Sequence, residues 1–114
     1  DREQLLDKIL RGYGVLGNDH PIAPIVKYSA TDMPQRAYDP DKAKFHIKKA
    51  GLEGHTFKLH TSDAAFDGAV DAAVLWQGHA KKAGIDIKVV KEPVDELSKR
   101  IIEYKRYVYN KMPV

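Results

Sequence analysis

The residues with the clearest chemical potential form the segment His60-Thr61-Ser62-Asp63. Histidine, serine and aspartate can form a hydrolytic triad, but the histidine must then lie between the serine and the acid in space. Neighbours along one chain segment cannot adopt that geometry, and no Gly-x-Ser-x-Gly elbow surrounds Ser62. Hydrolysis is therefore not indicated. We predict instead that Ser62 or Asp63 is the N-cap of a following helix, which leaves free backbone amides nearby.

Five histidines raise the question of a metal site. Metal-binding histidines commonly occur as closely spaced pairs such as His-Glu-x-x-His, and this chain has no such pair. His55 and His60 lie five residues apart in or beside one predicted strand, so their side chains point to opposite faces. His46 and His79 are predicted in different helices, and His20 in a loop. We therefore expect surface histidines, no metal and no cofactor.

A glycine-rich segment, Gly12-Tyr13-Gly14-Val15-Leu16-Gly17, matches the dinucleotide-binding pattern G-x-G-x-x-G by letter. That function requires a strand before the glycines and a helix after them, so that the helix N-terminus meets the pyrophosphate. Here a predicted helix precedes the glycines, and the turn-forming residues Asn18-Asp19-His20-Pro21 follow. We interpret the segment as a turn that follows a helix.

The elements around the polar segment predict a strand–helix–strand unit. Residues 56–61 alternate between apolar and polar as in a half-buried strand, and residues 85–90 do so again. Between them, apolar residues recur at helical spacing: Phe66, Ala69, Ala73, Trp76, Ala80 and Ala83. Gly84 is predicted to end this helix in the left-handed conformation. Such a crossover predicts parallel strands, whose carboxyl ends usually hold ligands, and it places the loop 61–65 there.

Further helices are predicted on both sides of this unit. Asp1 begins a first helix as its N-cap, and a meander with three prolines follows at residues 21–38. Asp39 caps a second helix that has Pro40 at its first position and ends at Gly51. Pro93 can begin a last helix, whose apolar face comprises Val94, Leu97, Ile101 and Tyr104. Tyr107-Val108-Tyr109 is predicted as a short third strand, and Trp76 as a core or lobe-interface residue.

The composition is that of an ordinary globular chain. With 114 residues, 43% hydrophobic and 31% charged, it suits one domain with a single core. The net charge of +3 does not demand a nucleic-acid partner. The absence of cysteine excludes disulfides and thiolate metal sites, and no apolar run approaches the ~20 residues of a membrane span. The opening without a methionine or signal peptide suggests a piece cut from a longer chain.

The C-terminal helix supports an alternative function. Lys99-Arg100 and Lys105-Arg106 alternate with Tyr104, Tyr107 and Tyr109, and aromatic rings among cations can stack on RNA bases. A small basic adaptor or a nucleic-acid-binding module would use this surface. Ile101 and Tyr104 are predicted to face the core, and Glu96 and Glu103 dilute the charge, so a solvated helix face explains the pattern better.

Several segments together resemble one family, the extracytoplasmic solute-binding proteins of ABC importers for peptides and nickel (family 5). The opening DREQLLDKILRGYGVLGNDHPIAP is similar to its Asp-Arg … Gly-x-Gly … Pro segment. Tyr38-Asp39-Pro40-Asp41-Lys42-Ala43-Lys44, followed by Ala50-Gly51-Leu52, resembles its most specific helix signature. Trp76-Gln77 with Ala83-Gly84-Ile85-Asp86-Ile87 resembles its crossover, and Lys91-Glu92-Pro93 fits one branch of peptide binders.

The resemblance implies an α/β fold: a βαβ-centred lobe of a type II periplasmic-binding-protein-like fold, with a small mixed sheet flanked by helices. Residues 1–114 would form a single truncated lobe, the C-terminal one, of a two-lobe protein. The implied function is the capture of an oligopeptide or dipeptide by closure of two lobes and its delivery to a membrane permease. The protein would be periplasmic, or extracytoplasmic and lipid-anchored, and would not be an enzyme.

The resemblance also implies a ligand site in the loop after the first strand, formed by Thr61, Ser62, Asp63 and Ala65. Some dipeptide binders carry arginine and tyrosine in this loop, where this chain has Asp63 and Ala65. The opposite wall, and the acidic group for a peptide's amino terminus, are expected outside the chain. A peptide is therefore expected to bind only together with the missing lobe. No nucleic acid is expected as a partner, and exposed sheet edges predict that the isolated chain dimerises.

Overall fold

The predicted strand–helix–strand unit forms the centre of the structure. A computed structural model describes the backbone of residues 1–111 and the side chains of residues 1–105. The two strands are parallel and adjacent, with Thr56 opposite Asp86 and Thr61 opposite Lys91. Within residues 1–111, four helices accompany them in an α/β arrangement, in the order α1 (Arg2–Lys8), α2 (Pro40–Lys49), β1 (Thr56–Thr61), α3 (Ala69–Lys82), β2 (Asp86–Lys91) and α4 (Val94–Lys111). The α/β fold class is confirmed.

The third strand predicted at Tyr107-Val108-Tyr109 is wrong. These residues continue α4, which runs without a break over Val94–Lys111. Each residue added to an existing helix gains one backbone hydrogen bond, whereas three residues of strand need a partner edge. Within the described residues the sheet is therefore two-stranded and parallel, and not mixed.

The local capping signals are confirmed. The Asp39 side chain accepts a hydrogen bond from the Lys42 backbone nitrogen at 2.9 Å, and Pro40 is the first residue of α2. Asp1 caps α1 in the same way through the Gln4 nitrogen, at 3.1 Å. These caps satisfy backbone donors that have no partner within the first helical turn.

The predicted start of α3 at Ser62 or Asp63 is wrong. The helix begins at Ala69, and its N-cap is Gly68 in the left-handed conformation, with φ of +83°. The Ser62 hydroxyl oxygen instead accepts a weak hydrogen bond from the Ala64 nitrogen at 3.4 Å, which forms a local turn. Phe66 consequently lies ahead of the helix and is half exposed.

The core beneath α3 consists of small side chains. The described residues that are buried and hydrophobic are all alanines from one side of this helix and its end, Ala69, Ala73, Ala80 and Ala83. They let α3 approach the apolar face of the sheet, where Phe57 and Ile87 are half-buried.

Trp76 is 54% exposed, so its prediction as a core residue is wrong and its role at a lobe interface stays a prediction. Gly84, with φ of +73°, follows the C-cap as predicted.

In the described part of the chain, most of the apolar face predicted for α4 is uncovered, and only Leu97 is half-buried. Ile101 is 49% exposed and Tyr104 is 69% exposed. Among the described residues, α4 has no extensive packing against a strand or another helix. The prediction that this face joins the core is therefore wrong.

The proline-containing meander is confirmed as irregular chain, and polar contacts hold it. Asn18 accepts a hydrogen bond from the Arg36 nitrogen at 2.8 Å and donates one to the Pro34 carbonyl at 2.9 Å. Asp19 lies 2.6 Å from an Arg2 guanidinium nitrogen, which ties the meander to α1. The glycine-rich segment enters this meander without a helix after it, so it lacks the arrangement that dinucleotide binding requires.

Candidate functional site

An open cavity of about 370 Å³ lies where both strands end. Because β1 and β2 are parallel and in register, Thr61 and Lys91 end the sheet side by side. The Glu92 nitrogen donates to the Thr61 carbonyl at 2.8 Å, which extends the pairing by one residue. The cavity is lined by Ser62, Asp63, Ala64, Lys91, Glu92, Pro93 and Val94. This is the position at which sheets of this kind usually hold ligands.

The structure brings only some of the predicted site residues to this cavity. Ser62 and Asp63 line it, whereas Thr61 is buried beside it and Ala65 is not among its lining residues. Ser62 is 2% exposed, so its hydroxyl belongs to the floor. Asp63 is mostly exposed and reaches across to Lys91, with 2.5 Å between its carboxylate oxygen and the ammonium nitrogen. The rim therefore presents one anion and one cation.

Sequence reasoning missed two charged residues of this site, Lys91 on the rim and Glu92, which is buried. The Glu92 side chain is only 7% exposed, and its carboxylate lies 2.6 Å from His60 Nδ1 and 2.7 Å from Arg100 Nε. Burial alone would raise its pKa, but the hydrogen bonds from His60 and Arg100 outweigh burial and hold the pKa of Glu92 below its ordinary value. Glu92 is thus a buried anion shared by a strand and a helix.

The sequence holds only part of the information needed to predict the contact between His60 and Glu92. His60 lies opposite Val90 in the parallel register, and alternate residues share a sheet face, so Glu92 follows on the face of His60. That deduction requires the register, which the sequence alone does not provide. The contact with Arg100 depends in addition on the direction of α4.

His79 forms a second buried polar cluster away from the strand ends. Its Nε2 lies 2.9 Å from the Gln4 side-chain oxygen, and its carbonyl accepts a hydrogen bond from the Tyr38 hydroxyl at 2.9 Å. Burial lowers its pKa, and neighbouring positive charges add to that effect. The prediction of a surface histidine is therefore wrong for His79. Its signal was its spacing of three from Trp76 and four from Ala83, on the apolar side of α3.

A groove of about 650 Å³ lies between the helices and the apolar face of the sheet. It shares no lining residue with the cavity at the strand ends. Its lining is mainly apolar: Asp1, Arg2, Leu5, Ala37, Tyr38, Asp39, Ala43, Ile47, Phe57, Trp76, His79, Ala80, Ala83, Ile85 and Ile87. Such a surface suits contact with another protein segment better than recognition of a polar ligand.

Among the residues that the structure describes, no group of three or more histidine, aspartate or glutamate side chains comes together in a way that could hold a metal ion. None of the described helices has the length and apolar character needed to cross a bilayer.

Comparison with known proteins identifies the family. The family described as "Bacterial extracellular solute-binding proteins, family 5 Middle" matches residues 1–110, which include both strands and every residue that lines the cavity at their ends. A comparison with curated proteins gave no match. Proteins of this family bind solutes outside the cytoplasm and are binding proteins rather than enzymes. The chain belongs to family 5 of the bacterial extracellular solute-binding proteins.

Proposed function

We propose that this chain supplies one wall of the peptide site in the substrate-binding component of an ABC importer. The observation that carries this proposal is the cavity at the ends of β1 and β2, lined by Ser62, Asp63 and Lys91, in a chain of this family. Two-lobe closure captures an oligopeptide or dipeptide and presents it to the membrane permease. The protein acts in the periplasm or, lipid-anchored, on the outer side of the membrane.

The polar groups of the cavity match those of a peptide. The Ser62 hydroxyl can donate and accept, the Asp63 carboxylate accepts from an ammonium or amide, and Lys91 donates to a carboxylate or carbonyl. Asp63 and Lys91 pair with each other across the rim, and both are mostly exposed. Exposed ion pairs contribute little stability. The charged groups of a peptide can therefore replace the contact between Asp63 and Lys91 at small cost. A zwitterionic ligand is therefore favoured over a neutral sugar.

The shape of the cavity supports closure by a second wall. Ligand pockets typically bury more than about 70% of a small ligand, whereas this cavity is largely open to solvent. Apolar side chains complete the present wall at Ala64, Pro93 and Val94. A second lobe that closes over it would shield the ligand, and ligand binding would favour the closed state.

A ligand screen on the full-length protein tests the proposal. The melting temperature is measured with a peptide library and, separately, with sugars and metal chelates. We expect a rise with at least one peptide, because a ligand at 100 times its Kd stabilises the native state by about 2.7 kcal/mol. A folded protein whose melting temperature rises with no peptide would contradict the proposal.

The alternative that uses α4 for nucleic acid has less support. Arg100 is engaged by Glu92, and Lys99 lies 2.9 Å from Glu96 on the same helix. The cations of the described part of α4 are therefore largely neutralised by acids. Titration with single-stranded RNA at low and moderate salt separates the two functions, because binding through phosphates would weaken steeply as salt rises.

A further inference from the structure

In the described part of α4, one ion pair provides the polar attachment of this helix to the rest of the structure. Among the described side chains, the contact of Arg100 with Glu92 is the only hydrogen bond or salt bridge that links α4 to another element. The pair formed by Lys99 and Glu96 lies within α4. Ile101 and Tyr104 are exposed and Leu97 is only half-buried, so apolar packing adds little to this contact. The direction of α4 therefore depends on Arg100.

The partner of Arg100 is fixed in the body of the structure. The Glu92 nitrogen is hydrogen-bonded to the Thr61 carbonyl, and its carboxylate is held by His60 from β1 at 2.6 Å. The side chain is buried, so its position is set by these contacts. Arg100, in contrast, is about half exposed and can separate from the carboxylate without leaving a cavity. The pair thus joins a fixed anion to a releasable cation.

The position of the pair gives it control over the cavity at the strand ends. Pro93 and Val94, the residues between Glu92 and the body of α4, line that cavity. Arg100 lies six residues beyond Val94, which corresponds to roughly 9 Å along a helix. The contact of Arg100 with Glu92 at this distance fixes the direction of α4. A change in that direction moves the first turn of α4, which lies at the cavity.

We propose that Glu92 and Arg100 form a latch that sets the orientation of α4 and thereby the shape of the cavity. His60 is a positioning residue, because it holds the Glu92 carboxylate towards Arg100. With the latch closed, Val94 forms the edge of the cavity. With the latch open, α4 samples several directions and the edge widens. The latch depends only on the geometry of this chain and does not require that the ligand be a peptide.

Distances between spin labels on α3 and α4 test the latch. The chain has no cysteine, so Lys81→Cys on α3 and Lys105→Cys on α4, both exposed, provide the only labelled positions. Pulsed electron spin resonance then measures the distribution of distances. We expect one narrow distribution in the parent, a broader one with Arg100→Gln, and recovery of a narrow one with Arg100→Lys, which keeps the charge.

Two further variants make the outcome decisive. Glu96→Gln removes the exposed pair within α4 and should leave the distribution narrow, whereas Glu92→Gln should broaden it as Arg100→Gln does. Circular dichroism confirms that each labelled variant is folded. If Glu92→Gln fails to fold, Arg100→Gln still decides, because Arg100 is half exposed. An unchanged distribution with Arg100→Gln, or equal broadening with Glu96→Gln, would overturn the latch.

Discussion

At the scale of single residues, two buried polar side chains connect elements that are distant along the chain. His79 joins α3 to α1 and to the meander through Gln4 and Tyr38. Glu92 joins β1 to α4 through His60 and Arg100. Each has hydrogen-bond partners for its buried atoms, and removing one partner would leave a polar group unsatisfied and destabilise the fold.

Stability should decrease on mild acidification because of His79. Burial lowers its pKa in the folded state, so below its ordinary value of 6.5 the unfolded chain binds the proton more readily. Its contribution is complete above pH 6.5 and decreases as the pH falls towards the lower folded pKa. Urea unfolding at pH 7.5 and 5.5 measures this. His79→Gln should flatten that dependence, whereas the control His46→Gln, at an exposed site, should retain it.

Glu92 should add a second loss of stability at lower pH. Its pKa is lowered in the folded state, so its contribution is present above the ordinary value of 4.5 and is lost as the pH falls through the folded pKa. Acid unfolding curves of the parent and Glu92→Gln measure the effect. The variant should be less stable at pH 7 and should depend less on pH between 5 and 3. If the stabilities of the parent and of Glu92→Gln changed with pH in parallel, this role of Glu92 would be refuted.

At the scale of elements, the turn before α3 is fixed by a contact that is remote in sequence. Gly68 has φ of +83°, and a Cβ atom there would lie 2.9 Å from Ile9 Cγ2. The left-handed conformation and the contact both favour glycine. The same helix contains Gly78, where a Cβ atom would meet nothing within 4 Å.

These two glycines provide a matched pair of substitutions. Gly68→Ala should destabilise the protein by about 1–3 kcal/mol, because it combines an unfavourable backbone conformation with the clash at Ile9. Gly78→Ala should stabilise it by roughly 0.5–1 kcal/mol, because alanine is the better helix former in an open position. Denaturant unfolding gives both values. Equal effects of the same sign would show that the turn is not constrained as described.

Elements whose signals are local could be predicted, and those set by distant contacts could not. Asp39 and Pro40 identify the start of α2 because cap and helix are neighbours in sequence. The start of α3 was missed because Gly68 is its left-handed N-cap and lies against Ile9, a contact remote in sequence. At the site, Ser62 and Asp63 follow from the order of strand and loop, whereas Glu92 requires the strand register and the direction of α4.

At the scale of the whole molecule, the chain exposes more surface than its mass requires. Its accessible surface is 9403 Å², whereas a compact monomer of 12.8 kDa would expose about 6,300 Å². Its radius of gyration is 16.4 Å, against roughly 13 Å for a compact domain of this length. The apolar groove and the apolar face of α4 contribute to this excess. Both surfaces are suited to contacts with other protein segments.

We expect the isolated chain to dimerise for this reason. A stable interface needs only about 800 Å² from each partner, which is well within the excess surface. Light scattering or sedimentation over a range of concentrations should show a mass above that of the monomer, rising with concentration. A constant monomer mass at high concentration would contradict the expectation.

The central claim is that the cavity at the strand ends forms one wall of a peptide site. Isothermal titration of the full-length protein with the peptide that raises its melting temperature most gives the Kd directly. Asp63→Asn removes the carboxylate at the rim, and Asp71→Asn changes an exposed aspartate of α3 that does not line the cavity. We predict a Kd at least about tenfold weaker for Asp63→Asn, a loss of about 1.4 kcal/mol, and an unchanged Kd for Asp71→Asn. An unchanged Kd for Asp63→Asn would contradict the claim.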